Sequence, residues 1–134
     1  MMKSVSSELD LYEPVMSHFA HYTVFCDEVP LGRRRIDLVF LSRNGLITAV
    51  ELKVDKWRDA LSQALINQLI SDYSYVALPI SKCRLVEKEI FEENGVGLLA
   101  VADSVKCKIP SRRLSHKDPE LARSVRRYVL EATR

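Results

Sequence analysis

Glycine and proline are scarce in this 134-residue chain, four and five respectively, which excludes collagen-like, repetitive and low-complexity architectures. Cysteine is scarcer still: Cys26, Cys83 and Cys107 form an odd, widely spaced set with no CxxC pair. That set argues against a disulfide framework and against a structural zinc site, and leaves the thiols as small apolar groups. No apolar run approaches the length of a membrane span, and the opening MMKSVSSELD lacks the apolar stretch of a signal peptide. A cytoplasmic location is therefore expected. Nor does one sign of charge dominate, since 20 Lys and Arg stand against 18 Asp and Glu.

What remains is an ordinary globular composition, 47% hydrophobic and 28% charged, sufficient for one domain over residues 1–134 with a single core. The charge is unevenly spread. Residues 1–31 carry Lys3 against Glu8, Asp10, Glu13, Asp27 and Glu28, whereas residues 104–134 carry nine Lys or Arg against Asp118, Glu120 and Glu131. A basic C-terminal extension over about 110–134 suits a polyanion such as nucleic acid. A solvated helix face accounts for the same charges equally well.

Apolar Leu11, Val15 and Phe19 recur at helical spacing between Glu8 and Ala20, with Pro14 demanding a late start or a kink. Residues 23–29 read as a strand ended by Pro30 and Gly32. Arg35–Leu41 and Leu46–Lys53 are two β-rich runs around Arg43-Asn44-Gly45, a hairpin signal. Both faces of these runs are largely apolar, as in strands covered on two sides. Asp55 is placed to cap a helix running from about Lys56 to Ser71. A strand over 73–78, a helix from a Ser81 cap to Asn94-Gly95 and a buried strand over 96–102 follow, with 105–109 available as an edge strand. Asp118-Pro119-Glu120 starts a last helix that keeps Leu121, Val125, Tyr128 and Val129 roughly on one face. The order α-β-β-β-α-β-α-β-α implies an α/β fold, a mixed sheet flanked by helices.

Within the apolar hairpin three polar residues stand out: Asp37, Glu51 and Lys53. A buried carboxylate costs several kcal/mol unless something compensates it. Glu51 and Lys53, two apart, project from one face. A two-residue Asn44-Gly45 turn would set Asp37 opposite Leu52. A three-residue loop pairs Ser42 with Leu46, sets Asp37 opposite Glu51, and wants a left-handed glycine where Gly45 stands. The three-residue loop is the expectation. Two carboxylates about 5 Å apart repel by roughly 3–4 kcal/mol at an effective dielectric near 20, and a divalent cation reverses that sign. Oxygen ligands of this kind suit magnesium or manganese. A lysine beside them would orient an attacking water and offset phosphate charge.

The stretch IDLVF (36–40), a turn, AVELKV (49–54) and the helix DALSQALINQ (59–68) resemble the PD-(D/E)xK nuclease superfamily, with a restriction-endonuclease-like core; the likeness covers roughly residues 8–102. The residue before Asp37 is Ile36 rather than the motif's proline. The resemblance implies that Asp37 and Glu51, with the main-chain carbonyl of Leu52, hold Mg2+ or Mn2+, and that Lys53 is the catalytic lysine. It also implies a first-helix acid, Glu8 with Glu13 in reserve, and a site glutamine, Gln63 with Gln68 in reserve. Gln63 shares a helical face with Ala60, Asn67 and Ile70.

Arg33, Arg34 and Arg35 precede the active strand, where they would grip phosphates, with Arg112 and Arg113 as further nucleic-acid contacts. A solvated edge is the bland account of the same arginines. His18 and His21 lack a third ligand partner and read as helix surface, His116 as part of a basic loop, Trp57 as core, and Tyr73 and Tyr75 as strand packing. The functional expectation is a metal-dependent DNA endonuclease in repair, recombination or mobile-element defence, with a homodimer as a possible assembly. A catalytically lapsed nucleic-acid-binding module, or a subunit of a larger nuclease assembly, is the alternative.

Overall fold

A computed structural model describes residues 5, 7–22, 24–114 and 117–133. Thr23, His116 and Arg134 lie outside that set. The elements run α1 (Leu9–His18), β1 (Val24–Leu31), β2 (Arg34–Leu41), β3 (Ile47–Leu52), α2 (Trp57–Asn67), β4 (Tyr73–Pro79), α3 (Ile80–Cys83), α4 (Lys88–Asn94), β5 (Gly97–Val101), β6 (Val105–Ile109) and α5 (Pro119–Ala132). The six strands lie in sequence order in one sheet. Pairing is antiparallel from β1 through β3, parallel from β3 through β5, and antiparallel again at β6. This is the expected mixed α/β architecture.

Every residue of β3 and β5 is buried, as the apolar composition on both faces requires. On one side Leu11 and Val15 of α1, with Phe19 just after it, pack on Leu38, Phe40, Val50, Leu52 and Leu99. On the other, α2, α3 and α4 cover β4 and β5, and α5 covers the β1–β3 half. Among the described residues no helix is long and apolar enough to cross a membrane.

Several elements depart from the sequence reading. The helix expected from Ser81 to Asn94 is broken into α3 and α4, because a tight turn (Val86 N–H to Cys83 O, 3.4 Å) brings Val86 into the core and leaves Glu87 extended. β1 continues through Pro30 to Leu31, which an edge strand permits because its outer N–H groups have no ladder partner. Asp55 does not cap α2: its carboxylate accepts from Lys56 N–H, and Lys56 itself takes the N-cap position at φ +53. The buried stripe of α5 is Ala122, Val125 and Val129, with Leu121 and Tyr128 more than a third exposed. Asp118 does cap that helix, accepting from the N–H groups of Glu120 and Leu121 at 3.1 Å each. Pro14 sits inside α1 without ending it, although it lacks the N–H for the i→i−4 bond of its position.

Gly97 carries a different constraint. A Cβ there would lie 2.4 Å from the Tyr75 ring and 2.7 Å from the Ile109 carbonyl, beside the irregularity where β5 meets β6. Gly97→Ala is expected to destabilise the protein by about 2 kcal/mol through overpacking. Denaturant unfolding measures this directly, and an unchanged midpoint would contradict the packing described.

Candidate active site

The β2–β3 hairpin sets the site's geometry. Gly45 adopts φ +80, its N–H reaches Ser42 O at 3.0 Å, and Ser42 N–H reaches Leu46 O at 3.0 Å. Ser42 therefore pairs with Leu46 around the three-residue loop, and the ladder continues through Leu41↔Ile47 to Leu38↔Val50. One further step along this register brings Asp37 opposite Glu51. The charge of Asp37 acts on Glu51, so the two carboxyls are felt by each other across the strands. Asp37 Oδ2 also accepts from Leu52 N–H at 2.8 Å. In an extended strand a residue's N–H and C=O point the same way, so the Leu52 carbonyl also faces the Asp37 side. Lys53 follows in line, its N–H on Ala77 O at 3.1 Å on the opposite edge. Lys53 is the first residue after β3, two positions from Glu51 and half-buried.

Asp37 sits at a crease. Ile36 and Val39 both pack into the cluster under α5, as do Cys26 and Val29 on β1, so strict alternation fails on both strands at this point. Opposite Asp37, between the pairs Asp27↔Leu38 and Val29↔Ile36, stands Glu28 at φ +51, a backbone conformation unfavourable for a residue with a Cβ. The crease turns Arg34 inward.

Glu51 is 1% exposed, and its Oε2 is held from two sides. Asn67 Nδ2 donates to it at 2.7 Å and Arg34 Nη2 at 3.3 Å, while Arg34 Nη1 donates to Asn67 Oδ1 at 3.0 Å. The three side chains close a triangle that fixes the orientation of the Asn67 amide. Even so, burial pushes Glu51 up to about 7, aided by the Asp37 charge and opposed by Asn67 and Arg34. Asp37 is raised as well, chiefly by burial and further by the charges of Glu28 and Glu8; the Leu52 N–H acts the other way. Such a pair titrates as a unit.

Of the remaining expected residues, Glu8 stands exposed just before α1 without a side-chain capping bond, and its charge acts on Asp37. Glu13 lies instead in a shallow cleft with Pro14, Ser17 and Asp103. Gln63 is half-buried on α2, one turn before Asn67, and it is Asn67 that reaches Glu51. Gln68 donates to Asn94 O at 2.7 Å, away from the acids. Arg33 is exposed in the β1–β2 turn and Arg35 donates to Glu28 O at 3.2 Å. Arg112 donates to Glu93 O at 3.0 Å, whereas Arg113 lines a cleft beside the hairpin turn. The five arginines thus do not form one surface.

Sequence reasoning missed Asn67, Arg34 as a partner of Glu51, and Tyr12. The Tyr12 hydroxyl is pushed up to about 12 by burial and by the charges of Asp37, Glu28, Asp27 and Glu8, so it stays protonated beside the acids. The helical face shared by Gln63 and Asn67 was a visible signal for the first of these; nothing local marks the other two.

Among the described residues no three His, Cys, Asp or Glu side chains are grouped to hold a metal ion. The donors that do meet are two carboxyls and a main-chain carbonyl. That set fits a hard cation that keeps several waters, such as magnesium. The raised pKa of both acids, which a doubly charged ion would reverse, is the mark of a pair short of positive charge.

No protein-family model and no curated protein matches the chain. Solved structures do share its fold. A protein of unknown function from Silicibacter pomeroyi aligns with 98% of this chain and 88% of its own, at TM-score 0.73 and 18% identity. A repair endonuclease from Pyrococcus abyssi aligns with 74% of this chain at TM-score 0.53 and 16% identity; the chain spans 48% of that protein's length. EndoMS, solved with double-stranded DNA, covers 72% at TM-score 0.47 and 15% identity. The likeness to the first two is one of fold.

The acid pair has a pH signature. Glu51 binds its proton more tightly in the folded chain, at about 7, than the ordinary carboxylate value of 4.5. The folded state therefore holds more protons between those values, and stability falls as pH rises from about 4.5 to 7, by up to about 3 kcal/mol. Below that window both states are protonated and the term vanishes. Glu51→Gln is expected to flatten this slope and to gain stability on the wild type at pH 8 without added metal. Urea unfolding at pH 5 and pH 8 measures it; identical pH slopes would contradict the burial of an ionisable pair.

Proposed function

We propose that this chain is a divalent-metal-dependent nuclease that hydrolyses phosphodiester bonds, most specifically a DNA endonuclease of repair, recombination or mobile-element defence. The observation that carries the proposal is the meeting of Asp37 with Glu51 across β2 and β3, where burial drives both acids toward protonation. A fold must expend stability to hold two acids so, and a bound cation offsets that cost.

Asp37, Glu51 and the Leu52 carbonyl would hold Mg2+ or Mn2+. When bound, such an ion polarises the scissile phosphate and lowers the pKa of water. The chain's own groups do the rest. Leu52 N–H fixes Asp37 Oδ2, and Arg34 and Asn67 fix Glu51 Oε2, so each acid keeps its other oxygen for the shared position. The Lys53 ammonium, two positions from Glu51, offsets charge on the phosphate and orients the attacking water. Glu8 and the protonated Tyr12 border the same end of the sheet and would hold water at its rim. Gln63, on the α2 face that carries Asn67, would contact the substrate backbone beside the acids.

One observation favours a second reading, a lapsed nucleic-acid-binding module: the Arg34 guanidinium already supplies a positive charge to Glu51. Cleavage separates the two. Mg2+- or Mn2+-dependent nicking of duplex DNA is expected, with Asp37→Ala and Lys53→Ala each losing roughly a hundredfold or more in rate while melting cooperatively. Undiminished cleavage by either variant removes that residue from the mechanism, and no cleavage by the wild type under any divalent metal favours the lapsed module.

A further inference from the structure

At the far end of β3 from Glu51 lies a cleft of about 540 Å³, lined by Asn44, Gly45, Leu46, Asp72, Arg113, Leu114, Lys117 and Arg126. Three cations from two separate segments converge on it: Arg113 and Lys117 from the stretch before α5, and Arg126 from α5 itself. The single acid in its wall, Asp72, is 3% exposed and already engaged. Its Oδ2 accepts from Ile47 N–H at 2.7 Å, and Lys117 Nζ is bonded to its Oδ1. The wall therefore presents net positive charge to whatever enters.

Two of these cations, Lys117 and Arg126, are held in place by bonds of their own. Leu114 N–H bonds Asp72 O at 3.0 Å and Asp118 N–H bonds Leu69 O at 2.6 Å, which ties down the chain next to Arg113 and next to Lys117. Arg126 Nε donates to Gly45 O at 3.2 Å, which leaves its two terminal nitrogens for another partner. Among the described residues Arg113 makes no side-chain hydrogen bond. Guanidinium groups that converge on one cleft match the oxygens of a phosphate.

We propose that this cleft binds a backbone phosphate of a nucleic acid, as an anchor distinct from the acid pair. Glu51 and Leu46 stand five residues apart on one strand, about 17 Å, so the anchor engages the polymer several nucleotides from the acids. The inference rests on the reading of the chain as acting on nucleic acid, but not on its catalysing cleavage. A free phosphate ion would satisfy the same guanidinium groups, and the experiment separates the two sources.

The probe is a fluorescein-labelled 20-base-pair DNA duplex, its binding followed by anisotropy in EDTA over a series of salt concentrations. Without metal no cleavage intrudes, so the result is independent of the nuclease reading. Arg113→Gln with Arg126→Gln, the latter keeping a donor for Gly45 O, is expected to lower the slope of log K against log salt by about two, one for each lost phosphate contact. Lys106→Gln with Lys108→Gln, the same charge change on the exposed face of β6, is expected to leave the slope within half of that change. Should the double variant unfold, Arg113→Glu alone, an exposed side chain, carries the test with at least a tenfold loss of affinity. Equal slopes for the wild type and the cleft variant, or equal losses in the cleft and β6 variants, overturn the proposal. So does binding of inorganic phosphate at the cleft with no effect of its variants on the duplex.

Discussion

The contact on which the rest of this site depends is the one between two carboxyl groups, Asp37 and Glu51, on neighbouring antiparallel strands. It exists because a single glycine, Gly45 at φ +80, closes a three-residue loop. Strand side chains alternate with period two, so a loop one residue shorter would set Asp37 opposite Leu52 and point the two acids to opposite faces. The chemistry of the site is thus fixed by backbone geometry some six residues away.

Holding the acids together is unfavourable, and the surroundings show how the protein manages it. Leu52 N–H steadies one acid, and Asn67 with Arg34 steadies the other. Hydrogen bonds to charged groups are worth roughly 1.5–3 kcal/mol each, less than burial of two like charges takes away, and so both pKa values remain raised. The crease at Glu28 and Asp37 belongs to the same arrangement. It bends β1 and β2 together and swings Arg34 toward Glu51, at the expense of a left-handed backbone on a glutamate. A rule of local structure is broken next to the acids, as is common at functional sites.

Much of this was legible in the sequence because it is local. The apolar patterning of 35–53, the register imposed by Gly45 and the Asp118-Pro119 start of α5 each follow from a few adjacent residues. The strand at 105–109 was likewise foreseen as an edge. What escaped depends on contacts between distant segments. Arg34 looked like a phosphate grip because nothing near it in the chain reveals Asn67, 33 residues later. The resemblance pointed to Gln63, with Gln68 in reserve, whereas the amide that reaches Glu51 is Asn67, on the same face of α2 as Gln63. The break between α3 and α4 goes with the burial of Val86, and the stripe of α5 is the set that packs with Val29 and Leu31 of β1; neither is encoded in helical periodicity. Arg112 and Arg113, adjacent in sequence, have different surroundings: the first bonds Glu93 O in α4 and the second lines the hairpin cleft.

The most direct measurement is anomalous scattering from crystals soaked in manganese. A peak within coordination distance of Asp37, Glu51 and the Leu52 carbonyl, about 2.2 Å from each oxygen, is the result this account requires. Crystals in which manganese binds elsewhere and leaves the position between the two carboxyls empty would contradict it.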